Sequence, residues 1–348
     1  MDCHHHFYDT RKNGFSGFLS RFLPEESFLP ADYARDVLAP IRESETLSRR
    51  GLRHAGSVHV ECMPDDGLSE VEWVESLRTG DDGDEPRTTV SAIVASCHLA
   101  GDDPAVVRRK LERLAEVSPR VRGIRWILDC AGPRMDGTRV TNPATHPGNL
   151  RHDGIDYLEP GTRHAGAFEE GFAVLADLGL SFDLQCAPRQ LANAADLCSR
   201  HPGVPVVIDH LGKPMQLLGP NNSEMVPDEA KLDEWRKGMA AMAALPQAHV
   251  KISGLGWAVP NWTASARRID LVKKLCQETV ELFGPERCMV ATNWHKDAVA
   301  SDSDGLGDSG PSPDEYLETL LGWFGGLTPD EQRRLFAGTA RDFYRIEE

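Results

Sequence analysis

Several things are scarce in this sequence, and each scarcity removes a class of function. The eight cysteines stand singly at 3, 62, 97, 130, 186, 198, 276 and 288, so no CxxC pair exists to build a zinc ribbon or a dithiol redox centre. Several of them lie in apolar runs, where a free thiol serves as a small core hydrophobe. Basic charge is short: 38 Lys and Arg against 54 Asp and Glu give a net charge of −16. No basic stripe of the kind that nucleic acid or an anionic membrane needs is present. No apolar run approaches membrane-spanning length, and the first residues lack a basic-then-apolar leader. The expectation is a reduced, cytoplasmic protein that acts on a small molecule.

What is present is an alternation. Short β-branched runs at 1–7, 57–62, 89–97, 121–128, 180–185, 204–208, 249–253 and 287–292 read as strands. Amphipathic stretches at 104–116, 168–178, 190–200, 229–244 and 265–283 read as helices between them. Near-continuous apolar strands imply a parallel sheet buried on both faces. Eight of them suit an α/β (β/α)8 TIM barrel, distorted, forming one domain over residues 1–348. An open doubly wound sheet is the alternative, but no GxGxxG follows the first strand. The connections 8–50, 129–166, 211–228 and 297–313 are long, and all follow the carboxyl end of a proposed strand. That is the face on which barrels build active sites.

The chain opens MDCHHHFYD. In a strand His4 and His6 project to one face and His5 to the other. Two imidazoles on the inner face of a first barrel strand can grip a divalent ion, or they can simply be hydrogen-bonded in the core. Polar residues gather at the same end of the other strands: His59 and Glu61, Arg125, Asp183 and Gln185, Asp209 and His210, then Asn293 through Asp297. Buried polar groups are costly without partners or a task.

In the order DxHxH, FDL, DHLGKP, KISG, FGPER, NW, the chain resembles the amidohydrolase superfamily, in its amidohydrolase 2 branch of lactonase-like TIM-barrel hydrolases. The resemblance spans essentially the whole chain. It implies a first-strand metal pair in His4 and His6, and a sixth-strand ligand or catalytic group in His210. It also implies a substrate carboxylate or carbonyl held by Arg125. Two departures matter. The eighth strand of that superfamily usually ends in an Asp that activates water, and here Asn293 stands there, which cannot take a proton near pH 7. The fifth strand offers Asp183 and Gln185 but no histidine, and no lysine is evident at the strand ends to bridge two metals. A binuclear centre is therefore not expected. One divalent ion (zinc or manganese) on His4, His6 and His210 is one reading, and metal-free catalysis is equally open.

The catalytic candidates are then His210, Asn293 and Asp183, with Asp209 beside His210. Arg125, Gln185, Glu61, Trp257, His295 and Lys213 are the substrate-binding candidates. Each has a plainer alternative: Arg125 in a buried ion pair with Glu61 or Asp183, Trp257 as packing, Lys213 in turn geometry, His295 and Asp297 as exposed loop groups. His59 reads as a core histidine, and His146, His152 and His164 as solvated. The activity implied is ring opening of a small carboxylated or polyhydroxylated lactone. Nonoxidative decarboxylation of an aromatic or unsaturated acid, or a barrel that only binds a small acid, are the alternatives. This fold often pairs, and the sequence leaves a homodimer open.

Overall fold

Eight apolar runs become eight parallel strands: β1 Asp2–His5, β2 Ser57–Val60, β3 Val90–Ser96, β4 Val121–Arg125, β5 Ser181–Leu184, β6 Val206–Ile208, β7 Ala248–Ile252 and β8 Cys288–Val290. A computed structural model describes residues 1–12, 27–78, 89–101, 103–130, 155–214, 217–218, 226–294 and 311–347. The strands pair in chain order, each with the next. The sheet closes on itself where His5 bridges Trp294 in parallel. At this seam the Asn293 N–H donates to the His4 carbonyl (2.8 Å) and the His6 N–H to the Trp294 carbonyl (3.1 Å). The Asp2 carboxylate braces it from below, accepting from the Thr292 N–H (3.0 Å), the Thr292 hydroxyl (2.7 Å) and the Tyr33 hydroxyl (2.8 Å). The result is the expected distorted TIM barrel.

Helices follow the strands: α1 Gly67–Ser76, α2 Pro104–Val117, α3 Arg163–Leu178, α4 Leu191–Arg200, α5 Glu229–Ala243, α6 Ala266–Phe283 and α7 Pro313–Trp323. Their starts are written in the sequence. Side-chain oxygens of Asp66, Asp103, Thr162, Asp228 and Ser265 accept from the first-turn amides of α1, α2, α3, α5 and α6, the hydrogen bond that a cap residue supplies. After β1 the chain instead runs through short helical pieces, Pro30–Tyr33, Ala39–Glu43 and Glu45–Arg49.

Alternation divides the core in two. Outward residues such as Phe182, Ile208, Val250 and Ile252 pack under the helices against Phe168, Phe172 and Trp235. Inward residues Val58, Val60, Ala92, Val94, Val207 and Met289 fill the barrel, and Phe343 and Tyr344 from the last helical segment join them as a floor. All eight cysteines are buried, and none forms a disulfide. Among the described residues no helix is long and apolar enough to cross a membrane.

Candidate active site

Above that apolar layer the barrel interior turns polar. His4 and His6 do project together, with their Nε2 atoms 3.2 Å apart. His5 points the other way, bonds the Ser57 hydroxyl (3.0 Å) and packs on Tyr33. The His6 Nδ1 lies 2.8 Å from the Val60 carbonyl, and its Nε2 lies 3.2 Å from the Asn293 amide.

Lys251 is the centre of the cluster, and the sequence analysis did not single it out. It is fully buried, on the inward face of β7 between outward Val250 and Ile252. Its Nζ donates to Asp183 Oδ2 (2.5 Å) and lies 3.1 Å from His4 Nδ1 and 3.0 Å from Asp209 Oδ1. Burial works against its charge, but Asp183 and Asp209 outweigh that and hold the amine above its usual range. Burial likewise pushes Asp209 up, yet Lys251 and His4 prevail and keep it well below the normal carboxylate range. Asp183 goes the other way, raised to about 6 by burial with Asp209 adding to it. The Tyr344 hydroxyl also donates to Asp183 Oδ2, at 2.8 Å.

Arg125, at the end of β4, donates its Nε to Glu61 (2.7 Å) and an NH1 hydrogen to Gln185 (3.2 Å). The same NH1 is 3.6 Å from Asp209 Oδ2 and 3.3 Å from His4 Nε2. The buried pair with Glu61 is thus real, and the pair with Asp183 is not formed. Gln185 in turn donates to Asp129, which also takes a hydrogen bond from Lys213. Lys213 Nζ sits 5.3 Å over the Trp257 ring, and Trp257 meets His210 edge-on at 4.6 Å. Asp129, Tyr344 and Ser253, which shares a hydrogen bond of 2.9 Å with His210 Nδ1, are members the sequence analysis missed.

The β6 exit is strained. His210, Leu211, Gly212 and Lys213 all have positive φ, from 53° to 68°, and left-handed non-glycine residues concentrate where a site demands a fixed geometry. Gly254 makes room: a Cβ there would lie 2.8 Å from the His210 Cβ. Burial lowers His210 to about 3 and puts His4 well below its usual range, so both imidazoles are neutral near pH 7.

Ten of the candidates, from His4 to Asn293, therefore share one buried network. His59 stands apart, 3.5 Å from Glu70, and His164 is exposed. His146, His152, His295, Lys296 and Asp297 lie outside the described residues. The ligand-type atoms that converge within 4.8 Å among the described residues belong to His4, Asp209 and His210, so in this group Asp209 stands where the sequence reading had His6 beside His4 and His210.

A family model described as amidohydrolase matches residues 89–346. The chain belongs to this amidohydrolase family. Protein y4mH of Sinorhizobium fredii is 30% identical over 57% of this chain and 59% of its own length, so the match spans less than two thirds of that relative. An L-fucono-1,5-lactonase of Burkholderia ambifaria is 28% identical over 81% of each chain. A solved amidohydrolase from Burkholderia multivorans, with bound HEPES, shares the fold over 99% of both chains at a TM-score of 0.67 and 22% identity. A second crystal form of an amidohydrolase from that organism, 23% identical with a TM-score of 0.66 over the same share of each chain, contains zinc.

Proposed function

We propose that this family member hydrolyses a small lactone carrying a carboxylate or several hydroxyls. The observation that carries the reading is the convergence, inside the barrel, of two neutral imidazoles, an ionised Asp209 and two cations, Arg125 and Lys251. The relatives named L-fucono-1,5-lactonase support the same reaction class.

Arg125 holds the carbonyl or carboxylate oxygen, because its guanidinium presents several donors in a fixed fork. Asn293, whose amide lies against His6, offers a further donor but is no base. Donors fixed in a dry site stabilise the oxyanion that forms when water attacks the ring ester. Neutral His210 is in the form that accepts a proton from that water. Ionised Asp209, one residue earlier, offsets the charge the imidazole gains. On ring opening the same proton goes to the leaving alkoxide.

A divalent ion fits the donor set in kind, since His4, Asp209 and His210 bring two imidazoles and a carboxylate within reach of one point. When bound, such an ion would polarise the carbonyl or acidify a water, and the zinc in a solved relative suits that reading. Lys251 and Arg125 already face the same atoms, so the chain also carries its own positive charge there. Eight buried cysteines with no disulfide among them fit a reducing compartment.

The deciding experiment is a panel of sugar and carboxylated lactones followed by acid release in a weak buffer, with carbon dioxide monitored in parallel. Ring opening that disappears in Arg125→Met and His210→Asn is expected. Carbon dioxide release, or saturable binding with no turnover of any lactone, would replace this reading by the decarboxylase or the non-catalytic binder.

A further inference from the structure

We propose that Lys251 is a positioning residue that fixes the tautomer of His4, placing its proton on Nε2 and aiming it at His6. The inference begins with hydrogens that can be counted. His6 Nδ1 lies 2.8 Å from the Val60 carbonyl. A carbonyl only accepts, so His6 carries its hydrogen on Nδ1 and presents a bare lone pair at Nε2. An ammonium only donates. Lys251 meets His4 Nδ1 at 3.1 Å in hydrogen-bonding geometry, so that nitrogen is the acceptor and the His4 hydrogen sits on Nε2. From there it donates to His6 Nε2 across 3.2 Å. One directed chain results: Lys251 to His4, His4 to His6, His6 to the Val60 carbonyl.

The opposite placement fails at two contacts. With its hydrogen on Nδ1, His4 would set one donor against another at 3.1 Å, and its bare Nε2 would face the bare Nε2 of His6 at 3.2 Å. Asp209 Oδ1 is the acceptor that could receive an Nδ1 hydrogen, at 3.4 Å, but Lys251 Nζ is the nearer partner of that nitrogen, at 3.1 Å. The favoured placement has one poor contact, between His4 Nε2 and Arg125 NH1 at 3.3 Å, and Arg125 NH1 keeps Gln185 as its acceptor. A further consequence concerns Asn293. With His6 Nε2 as an acceptor, Asn293 turns its amide nitrogen rather than its oxygen toward it, an exchange that leaves the side-chain shape unchanged.

The remaining neighbours are consistent with a cation held for this purpose. Asp183 and Asp209 flank Lys251, and Tyr344 holds Asp183 from the barrel floor. For His4 to hold a metal ion through Nε2, it would have to give up that hydrogen. In the reaction, and resting on the lactone reading, His4 is thereby a hydrogen-bond donor poised beside Arg125 rather than a bare ligand.

The test is long-range nitrogen–proton NMR on full-length, chelator-treated protein labelled at histidine nitrogens, with the His4 signals identified by their loss in His4→Gln. The expected wild-type pattern is a protonated Nε2 and a bare Nδ1. A wild-type His4 protonated on Nδ1, or on both nitrogens, overturns the proposal without any variant being needed. In Lys251→Met the pattern should change to Nδ1–H or to a mixture. The double variant Lys251→Met/Asp183→Asn, which removes both charges of the pair, serves if the single one does not fold. A pattern unchanged in the variant that folds overturns the part given to Lys251. Where a lactone substrate is found, kcat should fall about 10²-fold, the scale of a misplaced catalytic group, with KM moving less. Absence of any lactone turnover would sink the reading of function and leave the tautomer result standing.

Discussion

Tyr344 reaches up from the barrel floor and donates its hydroxyl to Asp183, 2.8 Å away, the same carboxylate oxygen that Lys251 holds. The last helical segment of the chain is thereby bonded to the polar centre of the barrel. Tyr344→Phe leaves a buried carboxylate short of one donor and should cost about 1–3 kcal/mol. Urea unfolding should register this as a lower midpoint with the slope unchanged. A variant as stable as the parent would mean the hydroxyl contributes nothing.

Arg125 and Glu61 form the second buried pair, and removing one partner strands the other. Arg125→Met should destabilise by roughly 3–5 kcal/mol because Glu61 is left charged and buried. Arg125→Met/Glu61→Gln should recover much of that loss. The two terms separate on activity: neither variant should turn over an acidic lactone at the wild-type rate. A fully active Arg125→Met would end the anchoring role.

His210→Asn keeps a side chain of similar reach at the strained β6 exit while removing the proton carrier. kcat should drop by about 10²–10⁴, the range a positioned acid–base group supplies. Circular dichroism and melting temperature should stay near wild type. Normal turnover in this variant would exclude proton transfer through His210.

Acid should unfold the protein earlier than its carboxylates alone require. Burial holds His5 well below 6.5, His54 near 4 and His210 near 3. Each folded-state value lies below the unfolded one, so the unfolded chain takes up the protons first as pH falls. The stability these groups contribute is complete above about 6.5 and is lost between there and about 3–4. Each can remove about 1.4 kcal/mol per pH unit inside that window. Melting temperature measured from pH 7.5 to 4.5 should therefore fall steeply below 6.5. His5→Gln, remote from the proposed chemistry, should flatten the slope, and an identical slope would show that His5 is not buried neutral.

The barrel was legible because parallel strands buried on both faces leave continuous apolar runs, and each of the eight expected runs overlaps one observed strand. The long connections also fell where expected, after β1, β4, β6 and β8. Lys251 was not legible as a site residue. Attention to strand ends passes over a lysine at the middle of HVKIS, although its place in register with buried Val250 and Ile252 was a usable signal. Its partners lie on β1, on β5 and just past β6, and no local pattern records which strands face one another across a barrel. The same reason left Arg125 undecided between Glu61 and Asp183 until their distances were known. Asp129 and Tyr344 sit in a strand-to-loop exit and a terminal helix, segments whose sequence shows polarity but not where it points.

The seam between β1 and β8 sets a schedule for making the protein. His6 and Asn293 meet across 287 positions of sequence, so the histidine pair is synthesised well before its neighbours from β7 and the exit of β8. At typical ribosomal speeds of about 5–20 residues per second, roughly 15–60 seconds separate the two. Throughout that interval β1 has an unpaired edge on the side that β8 will cover, and His4 lacks Lys251. Nascent chains stalled before residue 250 should therefore hold all of the early histidines and none of the assembled site.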